Sequence, residues 1–319
     1  MIRIAAPLAA AIAAFALGAC GDGGAEPGAS EEATLVLDFQ PNAVHTGIYA
    51  ALAEGLYRRK GVDLVVREPG ASTDAPKLLA AGRAEFAILD IHDLGLARER
   101  GLDLVGVGAI VQRPLASVIA RAGSGVRRPR DLEGRTVGVT GLPSDDAVLD
   151  SVIEGDGGLP DRAKRVTIGF KAVASLAAGA VDAATGFRNA EAVALKGSGV
   201  PVHVFRVDRY GAPAYPELVL CVSRETLERR PGLVDTVLEA TGDGYRAVLA
   251  DPGRGLEALL DAVPELDPGE QRAQLGALLP ALRPPLRLDP AALRAWARWD
   301  ARHGILSRPP DVHLAFALR

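Results

Sequence analysis

The chain has 319 residues, 48% of them hydrophobic and 24% charged, and a formal net charge of −4. That size allows one large globular domain or two medium ones with a sizeable core. The acidic balance, with basic residues scattered over solvated segments such as ARERG and RETLERR, argues against nucleic acid as a partner, because phosphate binding needs a basic patch.

The first segment reads as an export signal, not as part of the fold. Arg3 precedes an apolar run that ends in Leu17-Gly18-Ala19-Cys20, too short and too sharply ended for a membrane span. The LGAC ending resembles a bacterial lipobox, in which the Cys receives lipid. Residues 1–19 are then a signal peptide, and residues 20–33, rich in Gly and acid, are a flexible tether. Acyl chains at Cys20 would hold the protein outside the cytoplasmic membrane, in a periplasm or on a cell surface. The other cysteine, Cys221, lies in the apolar run ELVLCVS and reads as a buried small hydrophobe.

From Thr34 onward, strand and helix patterns alternate. TLVLDF, VDLVVREPG, EFAILD and LDLVGVGAIV read as strands. GIYAALAEGLYRRKG, STDAPKLLAAGRA and DLGLARERG read as the helices between them, with Ser72 or Thr73 capping the second and Asp90 or Asp93 the third. This run implies a largely parallel sheet covered on both faces. The pattern pauses at SVIARAGSGVRRPRDLEG and restarts as a second α/β unit over about Val126 to Val207. ELVLCVS returns to a strand, and from Pro231 to Ala301 the chain reads as helices separated by Pro and Gly.

Two α/β units and a helical tail suggest two lobes. The tail returns to complete the first, so lobe 1 is expected over residues 34–118 and 219–319 and lobe 2 over residues 119–218. The crossings fall near Leu115–Arg121 and Tyr210–Leu218, and two crossings make a hinge beside a cleft.

In open parallel sheets, ligands bind beyond the C-terminal ends of the strands. There lie Asp38, Phe39, Gln40, Asn42 and His45 after the first strand, then Asp90, His92 and Asp93 after the third. In the second unit the turn Thr140-Gly141-Leu142-Pro143-Ser144 precedes Asp145 and Asp146, and Phe187, Arg188, Asn189 and Glu191 follow a later strand. Acids, amides, two histidines and two aromatics thus collect along one cleft. Asp90, Asp93, Ser144 and Asp145 also suit plain helix caps. His45 and His92 lack ligand spacing, so no metal is expected. The chain has no phosphate loop, no dinucleotide glycine fingerprint and no nucleophile elbow. Two acids at TGLPSDD disfavour a phosphorylated ligand there.

LDFQPNAVHTGIYAALAEGLYRRKGVDL, LLAAGRAEFAI, GFRNAEAVALKGSG and FRVDRYGAPAYPELVL together resemble one family, the substrate-binding lipoproteins of ABC importers for thiamine-pyrimidine precursors. They are related to the fungal pyrimidine synthase of thiamine biosynthesis. The resemblance runs from about Leu35 to about Tyr245. It implies a two-lobed periplasmic-binding-protein fold of type II: two mixed, mainly parallel sheets, a hinge, and a helical tail packed on lobe 1. In the family's first motif an aromatic stacks on the ligand ring; here Asp38 and His45 match and Phe39 replaces the usual Trp. In its second motif Phe187, Asn189 and Glu191 match, Arg188 stands where Trp is common, and Glu191 is implied to read the amino edge of an aminopyrimidine. The fungal enzymes form a Schiff base on a Lys and consume a His. Here Leu89 and Asp93 occupy those places, and His92 lies one residue away.

The expected protein is therefore a lipid-anchored monomer, not an enzyme, with no cofactor. It captures an aminopyrimidine by cleft closure and delivers it to an ABC permease and its ATPase. Its ligand-binding residues are Asp38, Phe39, Asn42, His45, Asp90 and His92 from one lobe, and Gly141, Ser144, Phe187, Asn189 and Glu191 from the other. The rivals are the same fold binding riboflavin or a B6 vitamer, and a pyrimidine-synthesising enzyme, which Leu89 disfavours.

Overall fold

A computed structural model describes residues 30–70 and 74–318. Cys20, the signal peptide and the capping pair Ser72 and Thr73 lie outside the described residues. Ten strands run in chain order: β1 Glu31–Val36, β2 Val62–Arg67, β3 Phe86–Asp90, β4 Leu104–Val111, β5 Ala116–Arg121, β6 Thr136–Val139, β7 Lys164–Thr167, β8 Ala183–Phe187, β9 Val202–Arg206 and β10 Leu218–Ser223. They form two five-stranded sheets, ordered β2-β1-β3-β10-β4 and β7-β6-β8-β5-β9. In each sheet one strand opposes the other four: β10 pairs antiparallel with β3 and β4, and β5 with β8 and β9. These two are the strands that arrive directly from the other sheet. The sheets are therefore mixed, and the C-terminal ends of the other eight strands carry the loops.

The stretch read as a pause contains β5, whose SVIA core is buried between β8 and β9. The outgoing crossing is thus the short segment 112–115, not Leu115–Arg121, and residues 116–118 join the second sheet. Likewise Glu31 to Ala33, expected in the tether, pair with β2 as the start of β1, while Leu37 to Phe39 leave the strand early. The single helix read over GIYAALAEGLYRRKG is two, Thr46–Ala53 and Leu56–Arg59, because Gly55 adopts a φ of 65° that ends the first.

The helical tail begins three of its helices at Asp-Pro pairs. The Asp251, Asp267 and Asp289 side chains cap Pro252–Ala262, Pro268–Leu278 and Pro290–Arg302, and Pro in the first turn lacks the N–H that would otherwise be unpaired. Tyr245, Leu256, Leu259, Leu275 and Leu278 pack with Leu35, Ile88 and Leu220 in one core, which returns the tail to the first sheet. The last long helix departs from that plan. Trp296 packs on Gly95, His92 and Phe316 of the first unit, whereas Trp299 reaches the second, where its Nε1 donates to Ser151 Oγ at 3.4 Å. Cys221 is fully buried in β10, as read from the sequence. No described helix is long and apolar enough to cross a membrane.

Candidate functional site

The loop after β1 is built from within. Asn42 Oδ1 accepts the N–H of Val44 at 2.9 Å, and the Asn42 N–H donates to His45 Nδ1 at 3.2 Å. His45 Nδ1 is therefore the acceptor nitrogen. The proton sits on Nε2, which donates to Asp38 Oδ1 at 2.8 Å. From below, the Tyr245 hydroxyl donates to the Val44 carbonyl at 2.7 Å. A side chain at position 47 would collide with the Tyr245 ring, so Gly47 permits this close packing. The result is a rigid loop that aims the Asp38 carboxylate and leaves Phe39 48% exposed.

After β3, Asp90 caps the helix Ile91–Glu99 by accepting the His92 N–H at 2.7 Å, so Asp90 rather than Asp93 is the cap. His92 itself is enclosed. Its Nδ1 lies 2.9 Å from Asp300 Oδ2 and 3.3 Å from Trp296 Nε1. One nitrogen cannot donate to the carboxylate and accept from the indole, and the charge-assisted bond to Asp300 is the stronger. Burial alone would lower the His92 imidazole, but Asp300 and Asp90 outweigh it and push it up to about 10. Tyr215 and Trp299 flank the ring, with centroids at 5.0 and 5.7 Å. Removal from water pushes Asp93 up to about 7, with Asp90 adding repulsion. Asp90 is itself raised by desolvation, against the pull of His92.

On the second sheet, the turn after β6 has Gly141 exposed at a φ of 96°. Ser144 is half-buried and does not cap the helix Pro143–Gly155, whose N-cap is Leu142. Asp145 Oδ2 instead accepts the Thr140 N–H at 2.7 Å. After β8, Phe187 is 38% exposed, and Asn189 is buried with Oδ1 lacking a partner. Glu191 folds back so that Oε2 accepts the Phe187 N–H at 2.7 Å. Burial raises the Glu191 carboxyl, and nearby Asp145 adds to it. Gly186 eases that fold, since a Cβ there would stand a tight 3.3 Å from Glu191 Cγ and Oε2.

Elements of the two sheets meet. Phe39, beyond β1, and Phe170, beyond β7, have ring centroids 6.4 Å apart at 41°. Arg188 Nη1 donates to the Ala277 carbonyl at 2.9 Å, and the helix Pro268–Leu278 packs against both the 43–45 turn and the helix Glu191–Gly197. On that helix Gln271 and Gln274 are buried, each with Oε1 unpaired. Sequence reading missed Phe170, Gln271 and Gln274. Phe170 carried a signal, as an aromatic at the C-terminal end of RVTIGF in a chain poor in aromatics. The glutamines carried none, because their burial depends on a tail helix packing across the cleft.

His45 and His92 thus stand behind the loops, with Asp38 and Asp90 nearer the strand ends. Among the described residues no group of three His, Cys, Asp or Glu is placed to hold a metal ion. A surface cavity of about 190 Å³ lies between the helices Thr46–Ala53 and Pro252–Ala262 and is lined by none of the strand-end residues.

A family model described as NMT1/THI5 like matches residues 42–254. The chain belongs to the NMT1/THI5-like family. It is 33% identical to a formylaminopyrimidine-binding protein of Halalkalibacterium halodurans over 73% of this chain and 71% of that one. It is 26% identical to a 4-amino-5-hydroxymethyl-2-methylpyrimidine phosphate synthase of Legionella pneumophila, over 73% of this chain and 74% of the other. The relatives it resembles thus include a binding protein and a synthase. In fold, the chain is similar to the periplasmic aliphatic sulphonate-binding protein SsuA of Escherichia coli, with a TM-score of 0.74 at 15% identity, over 89% and 91% of the two chains. The expected periplasmic-binding-protein architecture is therefore present.

Proposed function

We propose that this protein is the extracytoplasmic solute-binding component of an ABC importer for an aminopyrimidine precursor of thiamine, anchored by lipid at Cys20 and working as a monomer. The observation that carries the reading is that Phe39, an exposed aromatic face, follows a strand of one sheet and Glu191, a buried carboxyl, follows a strand of the other, while the strand-end loops of the two sheets meet at the Phe39–Phe170 pair. An aminopyrimidine offers a flat face and an edge with an N–H donor, which match these two groups. Asp38 places a carboxylate just beyond the first strand, which favours an amino group there over a phosphate or sulfonate. The 33% identity to a formylaminopyrimidine-binding protein supports the same class of ligand.

Binding without chemistry is the reading for the reaction side. Leu89 is buried in β3 where the resemblance places the Schiff-base Lys, so no amine stands there. The two sheets are the cores of two lobes, and ligand contacts from both favour the closed state that the permease reads. A thermal-shift panel of 4-amino-5-hydroxymethyl-2-methylpyrimidine, its formylaminomethyl analogue, riboflavin and pyridoxal tests the assignment. A midpoint rise with the pyrimidines alone is expected; a rise confined to riboflavin or pyridoxal contradicts it.

A further inference from the structure

We propose that Phe170 is the second wall of the ligand site, so that a flat ring is held between Phe39 of one lobe and Phe170 of the other. The proposal deepens the pyrimidine-binding reading and rests on it for the ring's identity, but not for its flatness. Among the described residues Phe86, Phe205 and Phe316 are buried, whereas Phe39, Phe170 and Phe187 are exposed. All three exposed rings stand at or just beyond the C-terminal ends of strands β1, β7 and β8. Phe170 is the most exposed at 70%, yet its one ring partner is Phe39 across the cleft. Two apolar rings from different lobes, both open to water and facing each other, form a surface that an apolar plate completes.

The backbone fixes where Phe170 points. The Ile168 N–H donates to the Val139 carbonyl at 2.8 Å, and its side chain fills the space over Gly138, so that residue is anchored in the sheet. Gly169 then turns at a φ of 55°, a conformation that favours glycine, and throws Phe170 out toward the cleft. On the other side the Asp38–His45 bond steadies the base of Phe39. The centroids stand 6.4 Å apart. A ring stacked on both faces needs roughly 7 Å, twice the carbon contact distance. A small opening of the hinge, with a rotation of one ring that removes their 41° tilt, therefore turns the pair into a sandwich. Such walls read flatness and leave the choice of edge to Glu191.

Calorimetric titration of 4-amino-5-hydroxymethyl-2-methylpyrimidine and riboflavin into the parent, Phe170→Ala, Phe170→Tyr and Glu191→Ala separates the two claims. Phe170→Ala should weaken whichever ring the parent binds on the order of 10- to 100-fold, and Phe170→Tyr should stay within about threefold. Glu191→Ala should weaken the pyrimidine alone. Riboflavin binding that depends on Phe170, with no pyrimidine binding, would support the sandwich and overturn the ligand assignment. Pyrimidine binding unchanged in Phe170→Ala would overturn the sandwich and leave the assignment standing. Equal losses in the Ala and Tyr variants would also overturn the sandwich, as would a parent that binds neither ring. Because Phe170 is exposed, its removal leaves the core intact.

Discussion

The buried carboxylate of Glu217 accepts the backbone N–H of Leu115, and so ties the chain's return crossing to its outgoing one. The same oxygen accepts the Ala116 N–H at 3.2 Å, while the Glu217 N–H donates to the Val111 carbonyl and its own carbonyl accepts from Ile91. One residue thus secures both hinge segments and the start of the helix that carries His92. Glu217→Ala leaves two N–H groups near the core without an acceptor, at a cost of about 2–4 kcal/mol. Urea denaturation should show that loss, whereas Glu217→Gln, which keeps an acceptor, should lose under about half as much. Equal stability of the Ala variant and the parent would mean that the hinge does not depend on this contact.

The same cluster sets a pH dependence. Burial, with repulsion from Asp90, pushes Glu217 up to about 8, and Asp93 is pushed up to about 7. The folded chain then holds protons that the unfolded chain releases above its ordinary carboxyl range. The stabilisation is complete below about pH 4 and is lost as pH rises through 7 to 8. His92, also raised, extends the decline above pH 8; His303, lowered by burial, opposes it over a narrow range near pH 6.5. The urea midpoint should fall from pH 5 to pH 8, and Glu217→Gln should flatten the slope. A midpoint that climbs over that range would contradict the protonated cluster.

Gly186→Ala tests the seating of Glu191 without touching a polar group. The added methyl meets Glu191 Cγ and Oε2 and Ile119 Cδ1 at 3.3 Å, so the carboxylate gives by a few tenths of an ångström and its bond to the Phe187 N–H lengthens. Pyrimidine affinity should drop about 3- to 10-fold, on the order of 1 kcal/mol, with little change in stability. Unaltered affinity by calorimetry would take the geometry of Glu191 out of the account.

Much of this was legible in order along the chain. Strand ends are legible where an apolar run meets polar residues, which puts Asp38, Phe39, Phe187 and Glu191 at or just beyond strand ends. The strand β5 was not legible, because it follows β4 after only four residues, runs against its neighbours and ends in a Gly-rich turn. A reading that expects a helix between parallel strands passes over it. The burial of His92 was hidden for a different reason. Its partner Asp300 lies 208 residues away, and no local pattern encodes so distant a pair. Phe170 was visible as a residue but was absorbed into a strand that stops three residues earlier, at Thr167.

The anchor rests on LGAC and the tether alone, and it can be tested in cells. Expressed in a bacterial host, the parent should fractionate with membranes, and Cys20→Ala should be released once the signal is cleaved. A processed Cys20→Ala protein that stays in the membrane fraction as fully as the parent would rule out lipid at that residue.

The central claim, an aminopyrimidine read by Glu191 above an aromatic face, is tested most directly by a crystal structure with saturating 4-amino-5-hydroxymethyl-2-methylpyrimidine. The expected result places the ring on Phe39 and its amino nitrogen about 3 Å from the Glu191 carboxylate, with both sheets contributing contacts. A pyrimidine bound elsewhere, or a cleft left empty at saturation, would contradict the account.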